Sequence, residues 1–97
     1  MEMDRGEARG ILATHLGSFR LRSYGDLVGL MGEVHVAEVS GPSGAEYQIE
    51  IEVTWDSPRD KTNIRVFGTI DDGRLPGALV PVNDSFIVAP DGTFVGE

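Results

Sequence analysis

The sequence contains no cysteine. That absence excludes a disulfide framework, a thiolate nucleophile and any zinc site built on sulfur, and it fits a cytoplasmic protein. Imidazole is nearly as scarce. His15 and His35 are the only histidines and stand 20 positions apart, so a zinc site is not expected from them either. Long apolar runs are missing: none approaches the ~20 residues that span a bilayer. Residues 1–10 are charged where a signal peptide would be apolar. The signatures of nucleophilic and nucleotide chemistry are absent as well, with no G-x-S-x-G, no GxxxxGK[ST] and no G-x-G-x-x-G behind a strand. Carboxylates do gather near turns (Asp56 and Asp60, Asp71 and Asp72, Asp84, Asp91), but none of these stretches has the spacing of an EF-hand loop. No cofactor, no metal and no catalytic residue are expected. Asn83-Asp84-Ser85 matches a glycosylation sequon, a three-residue pattern that arises readily by chance.

Positive charge is the other shortage. Eight Lys and Arg face 16 Asp and Glu, giving a formal net charge of −8, and Lys61 is the only lysine. The imbalance is local. Residues 1–32 hold four acids and four bases, whereas residues 33–97 hold twelve acids against four bases. A region this acidic repels phosphate backbones and anionic lipid, so neither nucleic acid nor membrane is an expected partner. Its simplest consequence is solubility.

What is present is ordinary globular material: 97 residues, 40% hydrophobic and 25% charged, read as a single domain over residues 1–97. Asp4-Arg5-Gly6-Glu7 resembles a capping box, and Ala8, Ile11, Leu12, Leu16 and Phe19 follow at helical spacing. The pattern predicts a helix over about residues 5–16, stopped by Gly17. Ser23-Tyr24-Gly25-Asp26 is a second cap, before a short helix carrying Leu27, Val28, Leu30 and Met31 and closed by Gly32. Phe19 and Leu21 offer a brief strand as the alternative.

From Glu33 the period changes to two. Val34 and Val36 alternate with His35 and Ala37, and Gly41-Pro42-Ser43-Gly44 is a turn. Residues 47–55 are the clearest segment. Tyr47, Ile49, Ile51, Val53 and Trp55 lie on one face, and Gln48, Glu50, Glu52 and Thr54 on the other, the mark of a half-buried strand. Residues 56–62 form a loop. Ile64, Val66 and Ile70 make a further strand, ended by Asp71-Asp72-Gly73. Residues 79–82 are apolar but broken by Pro81. Residues 85–88 read as a strand, Ala89-Pro90-Asp91-Gly92 as a turn, and residues 93–95 as a short return strand. Helices followed by hairpin-linked strands define an α+β fold, with one or two N-terminal helices packed on a curved antiparallel sheet of about 4–6 strands. A cystatin-like fold is one candidate architecture.

If Val34 and Val36 join the apolar face of residues 47–55, His35 lies opposite Glu50 or Glu52 on the solvent face. Arg65 then falls opposite Glu52 or Thr54. His35, Glu50, Glu52 and Arg65 are thus candidate binding residues. A carboxylate beside an imidazole is how acid–base pairs are tuned, although a row of solvated cross-strand charge pairs has the same pattern. Trp55 is either a core or rim residue or a binding anchor.

The segments Gly44-Ala45-Glu46-Tyr47-Gln48-Ile49-Glu50-Ile51-Glu52-Val53-Thr54-Trp55-Asp56, Ile70-Asp71-Asp72-Gly73 and Ala89-Pro90-Asp91-Gly92-Thr93-Phe94-Val95-Gly96-Glu97 resemble a family of small uncharacterised bacterial proteins. The resemblance covers about the C-terminal half of the chain. It implies a stand-alone bacterial domain and carries no activity. Two functional classes follow from the residues. The first is a non-enzymatic binding or protein-interaction module, with a protein partner or a homodimer as the expected assembly. The second is a small ligand-binding protein or enzyme with a pocket between helix and sheet.

Overall fold

The computed structural model describes residues 4–73 and 82–97. Helix α1 spans Arg5–Arg20, α2 spans Tyr24–Gly29, and the strands are β1 (Val34–Ser40), β2 (Glu46–Trp55), β3 (Ile64–Asp71) and β4 (Val82–Val88). All neighbours pair antiparallel in the order β1-β2-β3-β4, an open meander. This is the expected α+β class with a helix packed on an antiparallel sheet.

The N-terminus of α1 forms as its sequence indicates. The Asp4 carboxylate accepts the Glu7 N–H at 2.9 Å and satisfies one of the orphan donors of the first turn. The Glu7 side chain does not turn back to complete a capping box. It accepts hydrogen bonds from the hydroxyls of Ser43, at 2.8 Å, and Tyr47, at 3.1 Å, and so ties the helix start to the β1–β2 turn. Burial and this bond to a carboxylate both push the Tyr47 hydroxyl above its ordinary pKa.

The helix does not stop at Gly17 but runs one turn further. Tertiary contacts outweigh the low propensity of glycine here. Phe19 is buried in the core, and the Arg20 guanidinium lies over two aromatic rings. The alternative strand through Phe19 and Leu21 is therefore not formed. Ser23 caps α2 by accepting the Asp26 N–H at 3.1 Å, and the Tyr24 hydroxyl donates to the Thr62 carbonyl at 2.6 Å.

Ala8, Leu12, Leu16 and Phe19 form the buried stripe of α1. They pack on the inner face of the sheet, mainly over β3 and β4 and less over β2. That face carries Tyr47, Ile49, Ile51 and Val53 of β2, Ile64, Val66 and Ile70 of β3, and Val82, Phe86 and Val88 of β4, all buried. Gly68 sits directly beneath the helix. A Cβ there would come within 2.8 Å of Leu12 Cδ1 and 3.3 Å of Leu16 Cδ2, so the missing side chain sets how closely helix and sheet approach.

At the far side of the sheet the chain folds back on β4. The turn after β4 is closed by the Gly92 N–H on the Ala89 carbonyl at 2.8 Å, with Gly92 at φ +88°. Beyond it Phe94 bridges to Val88, a single bridge rather than the expected short strand. The apolar piece over residues 79–82 contributes Val82 to β4; residues 79–81 lie outside the described residues.

Candidate functional site

The β1–β2 turn decides which side chains share a face. Gly41–Ala45 close it, with the Gly41 N–H on the Ala45 carbonyl at 2.7 Å and the Gly44 N–H on the Gly41 carbonyl at 2.9 Å. This pairs Ser40 with Glu46 and, counting back, Ala37 with Ile49 and His35 with Ile51. Directly opposed residues point to the same side of a sheet. His35, Ala37 and Val39 therefore face the core side, and Val34 and Val36 face out.

The expected juxtaposition of His35 with Glu50 and Glu52 is thus incorrect. The strand is one residue out of the register that the apolar pattern suggested, which exchanges its two faces completely. The imidazole lies edge-on to the Phe19 ring at 5.8 Å, and its Nε2 is buried with no hydrogen-bond partner among the described residues. It cannot form an acid–base pair with either glutamate from the opposite face.

The other candidates divide. Arg65 lies opposite Thr54, one of its two expected positions, on the same outer face as Glu50 and Glu52. Its Nε donates to Asp56 Oδ1 at 3.2 Å. Trp55 ends β2 on the inner face opposite Ile64, partly buried against the core. It is a rim residue of the core.

The outer face takes a different shape from the one the sequence suggested. In one cross-strand row Val34, Glu52, Phe67 and Ser85 lie side by side; in the next, Val36, Glu50, Thr69 and Asn83. Val34 is 55% exposed, Val36 57% and Phe67 37%, large values for apolar side chains on a regular strand. With Glu50, Glu52 and Thr69, the residues Val34 and Phe67 line a shallow depression of about 190 Å³. A second hollow of about 310 Å³ lies at the other end of β2, between Glu38, Glu46, Tyr47, Gln48, Asp72 and Gly73. The charge on this face is mainly acidic, with Glu38, Glu46, Glu50 and Glu52 on β1 and β2. Among the described residues Arg65 is its one cation, and Asp56 already engages it.

The turn carboxylates have local work. Asp91 accepts from the Thr93 hydroxyl at 2.7 Å and the Thr93 N–H at 3.0 Å, which hold its carboxyl below the usual carboxylate range. Asp71 accepts the Gly73 N–H at 2.7 Å. Among the described residues no three His, Asp or Glu side chains come together to hold a metal ion, and no helix is long and apolar enough to cross a membrane.

Sequence reasoning missed Val34, Val36 and Phe67 as surface residues. The signal was available in the turn length. Five residues between Ser40 and Glu46 pair odd positions with odd positions, which places Val34 and Val36 beside the glutamates. The chain matches no family model, no curated protein and no solved structure.

Proposed function

We propose that this protein is a non-catalytic protein-interaction module whose working surface is the outer face of the sheet together with the outward edge of β1, which no described residue pairs with. The observation that carries the reading is the set of exposed apolar side chains Val34, Val36 and Phe67, set among Glu38, Glu50 and Glu52 on a regular sheet. An apolar patch inside a polar surround is the usual make-up of a contact surface. The rival reading, a ligand pocket between helix and sheet, gains no support at the contact of α1 with Gly68 among the described residues. Leu12 and Leu16 rest directly on Gly68, and the side chains between them are buried.

Selection of binders from a random displayed-peptide library tests the reading, with each binder's footprint mapped by amide hydrogen exchange. Footprints on β1 and on the outward residues of β2 and β3 are expected. Footprints confined to α1, or no binders at all, would sink it.

A further inference from the structure

An edge strand offers a row of unpaired N–H and C=O groups, and folded proteins normally blunt it with lysine, proline, a bulge or a covering segment. β1 has no lysine, proline or bulge, and its one acidic side chain is Glu38. Its sequence is Val34-His35-Val36-Ala37-Glu38-Val39-Ser40, and it pairs with β2 at every position from Val34 to Ser40 without a bulge. Among the described residues, the outward N–H and C=O groups of β1 have no neighbouring strand.

The chemistry around it specifies what that strand must carry. An added strand lies about 5 Å from β1 and about 10 Å from β2. On the outer face its side chains point past Val34, which has Glu52 directly behind it, and past Val36, which has Glu50 behind it. A long side chain with an apolar stem and a cationic head fits this arrangement: the stem lies on valine and the head reaches glutamate. On the inner face the alternate side chains meet His35, Ala37 and Val39, which α1 leaves only partly covered, and there an aliphatic residue fits. A second copy of this chain is a poor occupant. It would bring another net charge of −8 to an acidic face and would set Glu38 of each copy along the shared edge.

We propose that β1 receives, as a fifth strand, an extended segment of another protein in which basic and aliphatic residues alternate. The inference rests on the interaction reading above and names the class of partner that this reading leaves open.

Three labelled seven-residue peptides test it by fluorescence anisotropy: one alternating Lys and Val, one alternating Glu and Val, and one with the Lys and Val of the first gathered into two blocks. The alternating basic peptide should bind at least tenfold more tightly than either of the others and should protect the amides of β1. Its affinity should fall with added salt, and should fall about tenfold in the double variant Glu50→Gln, Glu52→Gln. Equal binding of the block peptide would reduce the effect to bulk charge and overturn the proposal, as would protection on another element. Dimerisation of the protein alone through β1, seen by sedimentation, would overturn it in favour of self-association. Tighter binding of the Glu/Val peptide at β1 would refute the basic partner while leaving the interaction reading intact. If neither these peptides nor any library binder touches β1 or the outer face, both readings fall.

Discussion

The two edges of the sheet are treated in opposite ways. At the β4 edge the chain supplies its own cover. Phe94 bridges to Val88, the Val95 N–H donates to the Ile87 carbonyl at 2.8 Å, and the Phe94 ring meets Phe86 edge-on at 5.6 Å. Arg20 then holds the tail from the helix side. Its guanidinium lies 4.8 Å from the centre of the Phe86 ring and 4.7 Å from that of Phe94, and it grips Glu97 through two hydrogen bonds of 2.8 and 2.6 Å. At the β1 edge the described residues show no counterpart. The same short chain thus closes the Phe86–Val88 end of one edge with cation–π contacts and a forked ion pair, whereas among the described residues the valine-bearing strand at the other edge has no such cover. Among the described residues, an unpaired β1 edge beside a β4 edge held at its Phe86–Val88 end is the reason to look for a partner at β1.

The comparison holds only while the shared core holds. Leu12, fully buried over Gly68, supports the sheet between the two edges. Leu12→Ala should cost about 2–5 kcal/mol, because the rigid sheet beneath it collapses poorly into the void. Urea denaturation measures the loss, and amide protection should fall in β1 and β4 together. Loss confined to one edge would mean that the core does not couple them.

Arg20→Ala separates the edges. Two half-exposed cation–π contacts are worth about 1–2 kcal/mol together, and the fork to Glu97 disappears with them. Faster hydrogen exchange at Phe94 and Val95, with β1 unchanged, is the expected pattern. Arg20→Lys should recover only part of it, since an ammonium cannot fork onto a carboxylate.

Acid should act on the same edge. The bond from Arg20 holds the Glu97 carboxyl below its usual pKa, while the arginine is raised by the same bond. A carboxyl depressed in the folded state stabilises it above the unfolded pKa, about 4.3 for glutamate. The contribution is lost as pH falls through the lower folded value. Asp91, depressed by Thr93, moves in the same direction. The tail should therefore loosen below about pH 4, seen as sharpening and shift of the Phe94 resonances. Glu97→Gln should remove the glutamate's part of the transition. A tail whose order is indifferent to acid would show that the fork contributes nothing in solution.

On the β1 side, His35 is the weak point. Its Nε2 is sealed against the core with no partner among the described residues, and an unsatisfied polar atom costs stability that an apolar side chain does not. His35→Leu should stabilise the protein by up to about 1 kcal/mol and slow exchange in β1 while leaving the tail alone. A loss of stability in thermal unfolding would place a functional hydrogen bond on that nitrogen.

The same residue marks where the sequence stopped being readable. The α+β class, the cap at Asp4, the cap at Ser23, the two faces of β2 and the inward residues of β3 all follow from strong local patterns, and the structure has them as read. In β1 the pattern is balanced. Val34 and Val36 on one side compete with Ala37 and Val39 on the other, so the choice passes to the turn, whose length fixes the pairing. The last turn of α1 was hidden for a related reason. What holds it is Phe19 in the core and Arg20 on Phe86 and Phe94, partners more than sixty positions away in the case of the two rings. Of the candidate site, the placement of Glu50, Glu52 and Arg65 on one face was legible. The exposed valines and the inward histidine depended on the single parity that the periodicity could not supply.

Val36→Lys should have the smallest effect on the fold and the sharpest effect on the comparison. Val36 is 57% exposed and lies directly opposite Glu50. Its replacement removes little burial and adds a cross-strand charge pair, so stability should change by no more than about 0.5 kcal/mol. Lysine at an edge is also one of the ordinary devices for keeping other strands away. The introduced ammonium neutralises Glu50 from within and repels a basic segment before it can pair. If β1 is a docking edge, this variant should unfold with the wild-type urea midpoint yet bind the alternating Lys/Val peptide at least tenfold more weakly. If it binds as well as the wild type, the open edge is not where the peptide sits. A drop in stability well beyond 0.5 kcal/mol would show instead that Val36 is already covered in solution, and β1 would then belong with β4 as a closed edge.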